Sequence, residues 1–223
     1  MAFGLIFDMD GVLFDSHPIH KRAWAALLRS VGRRVSDVEL DFIMTGATRE
    51  EILQHYLGPL TAEQLAVYGK RKELMFRSEE QDLRTVEGLE AFLDLIERAE
   101  IPKIIATSAS KGRAKRMLDK HDLTGRFKAI VTGDDVHIGK SDPAIFLRGA
   151  TELQVAPRDV LVFEDAVPAI RGAKSIGMKC IGVATDERRT LLQDAGADLV
   201  VPDFRQLGLS DVTDMLNSPN GSR

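Results

Sequence analysis

Phe3-Gly4-Leu5-Ile6-Phe7 runs without a break into Asp8-Met9-Asp10-Gly11-Val12. Five apolar residues with no polar alternation match a strand covered on both faces, as in a parallel sheet. Similar runs recur at residues 103–107, 129–132, 160–163, 179–183 and 199–200. Between them, segments 89–99, 112–120, 143–153 and 166–176 carry the amphipathic period of a helix. Strands that alternate with helices imply right-handed crossovers. The expected fold is therefore α/β, a Rossmann-like doubly wound parallel sheet with helices on both faces.

One interval breaks this alternation. Residues 16–83 contain no convincing strand, and helical patterns run through 17–31, 36–42, 49–57 and 61–80, punctuated by Gly32, Gly46 and Gly58-Pro59. The chain of 223 residues suits one α/β core of about 150 residues with a smaller insertion. The expected organisation is a core of residues 1–15 and 84–216, an inserted all-helical cap of residues 16–83, and a polar, flexible tail at 217–223. Ligands of open α/β sheets bind outside the carboxyl ends of the strands, so an insertion leaving the first strand end is expected to act as a lid.

The net charge of −4 gives no electrostatic reason to expect a nucleic-acid or anionic-membrane partner. An anionic substrate would need a local positive site. The single cysteine, Cys180, allows no intramolecular disulfide and reads as a buried small hydrophobe within an apolar run. No apolar run approaches about 18 residues, and no basic segment precedes an apolar stretch at the N-terminus. These features lead us to expect a cytoplasmic location, and a cap that covers the site in cis leads us to expect a monomer.

Four strand ends carry polar residues that ordinary packing would not select. Asp8 and Asp10 follow the first, and Ser108-Ala109-Ser110-Lys111 follows the run at 103–107. Lys140 precedes a helix in Gly139-Lys140-Ser141-Asp142-Pro143, and Glu164-Asp165 follows the run at 160–163. In a parallel sheet all these ends share one edge. Four converging carboxylates repel unless a cation joins them, and a hard ion such as Mg²⁺ suits carboxylates, waters and phosphate oxygens. One carboxylate would then attack phosphorus, and another two residues along would protonate the leaving oxygen and activate water. The Ser108 hydroxyl, the backbone N–H groups that follow it, including that of Ala109, and Lys140 would hold the phosphate oxygens.

Taken singly, each piece has a plainer reading. Asp-x-Asp-Gly is commonly a turn, Lys140 a solvated lysine, Ser108 a helix cap, and Glu164-Asp165 an acidic helix start. The order of all four at successive strand ends makes the difference. Asp8-Met9-Asp10-Gly11, Ser108, Lys140 and Glu164-Asp165 together resemble the motifs of the haloacid dehalogenase-like (HAD) superfamily, over essentially the whole chain. The resemblance implies an aspartyl-phosphate on Asp8 and a general acid/base at Asp10. It also implies Mg²⁺ held by Asp8, the Asp10 carbonyl and Asp165, with Glu164 direct or through water, beneath a small helical cap.

Within the superfamily, an aspartate at the second position favours phosphate esters over carbon–halogen bonds. The cap resembles that of β-phosphoglucomutase and related sugar phosphatases. His20, Arg22 and Trp24 look like its hinge region, and Gly46-Ala47-Thr48-Arg49-Glu50 is similar to its specificity loop. By this likeness His20, Gly46, Arg49, Lys72, Ser110 and Lys111 bind substrate. Thr45 and Gly112 depart from the mutase pattern, where a lysine and an asparagine stand. Apart from the resemblance, Trp24 and Leu27-Leu28 read as cap core, His20 as a residue exposed at the hinge, Arg49 as paired with Glu50 or Glu51, and Lys70-Arg71-Lys72 as a solvated helix face. The expectation is a phosphatase of a small phosphorylated metabolite, a sugar phosphate above all. The alternative is a β-phosphoglucomutase-type isomerase. A third reading, a non-catalytic binding protein of this fold, has no support because every catalytic position is filled.

Overall fold

The computed structural model describes residues 3–136 and 142–218. Packing divides the chain into two compact units, Met1–Phe14 with Thr85–Arg223, and Asp15–Arg84. In the first unit six strands form one parallel sheet: β1 (Gly4–Phe7), β2 (Lys103–Ala106), β3 (Ile130–Val131), β4 (Val160–Glu164), β5 (Lys179–Val183) and β6 (Leu199–Val201). Their order is β3-β2-β1-β4-β5-β6, which places β1 at the centre beside β4.

Alternation along β1 builds a separate core on each face. Phe7 joins Phe92, Phe127, Phe163 and Phe204 in an aromatic cluster. Ile6 points the other way, among Ile104, Phe146, Leu153, Val162, Ile170 and Cys180. Cys180 is fully buried and burial pushes its thiol pKa up, in keeping with a packing role.

The helices of this unit are α4 (Leu89–Arg98), α5 (Lys111–Lys120), α6 (Ala144–Leu153), α7 (Val167–Ser175), α8 (Asp186–Asp194) and α9 (Leu209–Asn217). The sequence reading did not anticipate α8 and α9. Each buries a single residue, Leu192 in α8 and Val212 in α9, and α8 carries little apolar periodicity. The expected flexible tail from residue 217 is corrected at its start: Asn217 closes α9, and the Ser218 N–H donates to the Asp214 carbonyl. Residues 219–223 lie outside the described residues. The expected strand at 129–132 contracts to two residues, since an edge strand has only β2 to pair with.

The second unit contains α1 (His17–Ser30), a 3₁₀ helix (Glu39–Thr45), α2 (Arg49–Leu57) and α3 (Ala62–Glu79). Two reciprocal capping boxes set the starts of α2 and α3: Thr48 with Glu51, and Thr61 with Gln64. The helix expected at 36–42 is instead this 3₁₀ helix. Ser36 N–H and Oγ–H both donate to Glu39, which holds residues 36–39 as a turn and delays the helix. Trp24, Leu27 and Leu28 bury against Leu40, Ile43, Leu53 and Tyr56, as a cap core requires. No helix among the described residues is long and apolar enough to cross a membrane.

Candidate active site

The centre of the sheet creates the acidic site. Phe7 and Phe163 are register partners, and the Asp8 N–H donates to the Phe163 carbonyl at 2.9 Å. The first residues past β1 therefore lie beside Glu164 and Asp165 at the end of β4. One carboxylate oxygen from each of Asp8, Glu164 and Asp165 lies within 4.8 Å of the others, and all three residues are buried. At that spacing each like-charged pair repels by roughly 3–4 kcal/mol at an effective dielectric constant of about 20. Three hard, buried oxygen donors suit a small divalent cation that keeps part of its water shell, which is the chemistry of Mg²⁺.

Glu164 is pinned in place. Its Oε2 accepts from the N–H groups of Asp165 and Ala166 at 2.6 and 2.7 Å, just before α7. Arg188 of α8 braces Asp165, donating from Nη2 to its carbonyl at 2.8 Å and lying 3.5 Å from its carboxylate. Arg188 was missed in the sequence because its helix carries little periodicity.

The Asp10 carboxylate is not one of these three. The sequence suggested four converging carboxylates, but the cluster comprises Asp8, Glu164 and Asp165, and the Asp10 carboxylate forms an ion pair with Arg113 of α5. Lys140 lies outside the described residues.

The loop after β2 is tightly organised. Ser110, not Ser108, caps α5, accepting from the Arg113 N–H at 3.3 Å, so the Ser108 side chain is exposed and takes no part in the cap. The Ala109 N–H, expected to face phosphate, donates to Thr107 Oγ1 at 3.2 Å, and the Lys111 N–H donates to Asp134 at 2.8 Å. The Lys111 side chain is exposed. Gly133 lets the neighbouring loop close on this one: its N–H donates to the Ala109 carbonyl, and a Cβ there would stand 2.6 Å from the Ser108 carbonyl oxygen.

In the helical unit, Lys72 overturns its reading as part of a solvated face. Lys70 and Arg71 are exposed, but Lys72 is buried, with its Nζ 2.6 Å from His20 Nδ1 and over the rings of Phe76 and Trp24 at 4.8 and 5.7 Å. An ammonium group only donates, so a charged Lys72 requires Nδ1 as the acceptor in this contact. His20 also packs on Phe76, with ring centroids 4.5 Å apart, rather than standing exposed. Arg22 pairs with Glu79.

Gly46 ends the 3₁₀ helix in a left-handed conformation, and Arg49 opens α2 with an exposed side chain. The Arg49 stem lies over Gly69 of α3, where a Cβ would meet its Cδ at 2.9 Å. Glu51 is engaged in the capping box and Glu50 accepts from Gln54. Among the described residues Arg49 thus makes no ion pair with either.

A family model described as haloacid dehalogenase-like hydrolase matches residues 4–177. A phosphorylated carbohydrates phosphatase of Thermotoga maritima is 31% identical over 209 residues, covering 89% of this chain and 94% of its own length. The beta-phosphoglucomutase of Bacillus subtilis is 31% identical over 216 residues, covering 92% and 91%. Among solved structures, a HAD hydrolase of family IA, variant 3, from Entamoeba histolytica matches with a TM-score of 0.88 at 26% identity, covering 98% of this chain and 100% of that one.

Proposed function

Because the chain belongs to the haloacid dehalogenase-like hydrolases, we propose that it is a Mg²⁺-dependent phosphatase of small phosphorylated metabolites, with sugar phosphates foremost. The observation that carries this reading is the buried cluster of Asp8, Glu164 and Asp165 at the joined ends of β1 and β4. The sugar-phosphate preference draws on the substrate named for the Thermotoga maritima relative.

In this mechanism an Asp8 carboxylate oxygen attacks phosphorus as the ester P–O bond breaks. The departing oxygen takes a proton from Asp10, which then accepts a proton from the water that cleaves the Asp8 acyl phosphate. Ser108 and Lys140 orient the phosphoryl oxygens, and Lys111 and Ser110 lie on the same loop-to-helix segment as Ser108. Asp8, Asp165 and the Asp10 carbonyl would hold Mg²⁺, with Glu164 direct or through water, and the ion would supply positive charge to the phosphoryl oxygens. We assign the helical unit the role of a substrate cap, with Arg49 as the grip on the part of the substrate that is not transferred and the chain acting as a monomer.

Phosphate release from a panel of phosphorylated sugars and acids, with Mg²⁺ and with a chelator, tests the proposal. Turnover that needs Mg²⁺ and is lost in Asp8→Asn is expected. No release from any ester would favour a binding protein of this fold.

A β-phosphoglucomutase reading draws on the His20–Lys72 contact, the uncommitted Arg49 and the Bacillus subtilis relative. Thr45 weighs against it, because a bisphosphate intermediate loses a cationic contact there. β-Glucose 1-phosphate with a bisphosphate primer separates the two: inorganic phosphate marks the phosphatase, and prompt, stoichiometric glucose 6-phosphate marks the mutase.

A further inference from the structure

The first turn of α5 breaks a local rule. Lys111 and Arg113 place two cations at the positive end of a helix that has no acidic residue in its first turn. Arg113 also lies on the buried side of the helix with Ala114, Met117 and Leu118, where an aliphatic residue would satisfy packing. Its side chain is 9% exposed and that of its partner, Asp10, 14%. The two residues are 103 positions apart in sequence, and the pair joins the turn after β1 to the helix that begins directly after Ser108-Ala109-Ser110.

We propose that Arg113 is a positioning residue for Asp10. The inference rests on the phosphatase reading above. The Asp10 carboxyl group is not one of the three in the cluster, and, carrying its proton, it must point at the leaving oxygen at the moment the P–O bond breaks. A carboxyl group on a short turn samples several rotamers, and an ion pair with a buried guanidinium restricts them. Because Arg113 is in the first turn of α5, directly behind the capping serine, the same helix start sets both the phosphate loop and the direction of Asp10. Arg113 touches no reacting atom in this scheme and acts only through Asp10.

The test compares two esters that differ in their need for a proton. p-Nitrophenyl phosphate releases a stable anion, whereas phenyl phosphate releases a much more basic one. Arg113→Met is expected to lower kcat on phenyl phosphate by about tenfold, a fraction of the effect of a whole general acid. On p-nitrophenyl phosphate the loss should stay below about threefold, with KM little changed for both. In an Asp10→Asn background, adding Arg113→Met should change phenyl phosphate turnover by less than about twofold, the non-additivity of residues that act as one unit.

Equal losses on both esters, or the same factor lost with and without Asp10, would overturn the inference. If Arg113→Met does not fold, Arg113→Lys decides: with charge kept and the planar guanidinium lost, it must show the same ester-selective loss at smaller size, and an unselective loss overturns the idea. If the wild-type protein releases phosphate from neither ester, the phosphatase reading itself fails and takes this inference with it. Wild-type turnover with an unselective Arg113 effect sinks the inference alone.

Discussion

Phe7 and Phe163 stack with ring centroids 4.4 Å apart and planes 6° from parallel, as register partners on adjacent strands. The next residue on each strand is a carboxylate, Asp8 and Glu164. The backbone pairing that stacks the rings, with the Asp8 N–H on the Phe163 carbonyl, also brings these two carboxylates side by side. Aromatic pairs of this kind contribute about 0.5–1.5 kcal/mol beyond the area they bury.

Phe163→Ala should destabilise the protein by about 3–5 kcal/mol, since it opens a cavity beside three other aromatic rings, those of Phe7, Phe92 and Phe204. Urea denaturation measures this directly. Phe163→Leu, which keeps most of the volume, should cost much less. Similar midpoints for the two variants would show that the cluster does not pack as described.

Asp8→Asn should abolish phosphate release and leave the fold intact. In metal-free buffer its melting temperature should equal or exceed that of the wild type, because one of three mutually repelling carboxylates becomes neutral. Near-normal turnover in this variant would contradict the nucleophile assignment. A large drop in melting temperature without metal would contradict the electrostatic account of the cluster.

Gly133→Ala should impair phosphate handling more than stability. The new Cβ would stand 2.6 Å from the Ser108 carbonyl oxygen, a backbone atom that moves only with its loop. A loss of about tenfold or more in kcat/KM is expected, given the sensitivity of catalysis to small misplacements. Unchanged kinetics would mean that the loop carrying Ser108 tolerates displacement.

Acid should weaken a surface cluster far from the site. Arg126 donates to both Glu97 oxygens at 2.9 and 2.8 Å, Lys103 adds a third bond at 2.9 Å, and the Glu97 carboxyl is held at about 2 against an ordinary value of 4.5. The folded carboxyl binds its proton less tightly than the unfolded one. Its contribution is therefore complete above pH 4.5 and is lost as pH falls toward about 2. The side chain is 40% exposed, so screening limits this contribution to about 1 kcal/mol. Urea midpoints of the wild type and Glu97→Gln should converge across that window, and a constant gap between them would refute the assignment.

The sequence alone determined the doubly wound sheet, the helical insertion and the strand ends that carry Asp8, Ser108 and Glu164-Asp165. Those features are local: a continuous apolar run makes a buried strand, and parallel strands put their carboxyl ends on one edge. The tertiary structure decided which side chains meet. Asp10 pairs with Arg113 across 103 residues, Lys72 turns inward to His20 across 52, and Arg188 reaches Asp165 across 23. Charged side chains are long and their partners lie on other elements, so periodicity carries no trace of them. Ser108 and Ser110 make the same point at close range. Either hydroxyl suits a helix cap by type, and the start of α5 at Lys111 gives the cap to Ser110 and leaves Ser108 exposed.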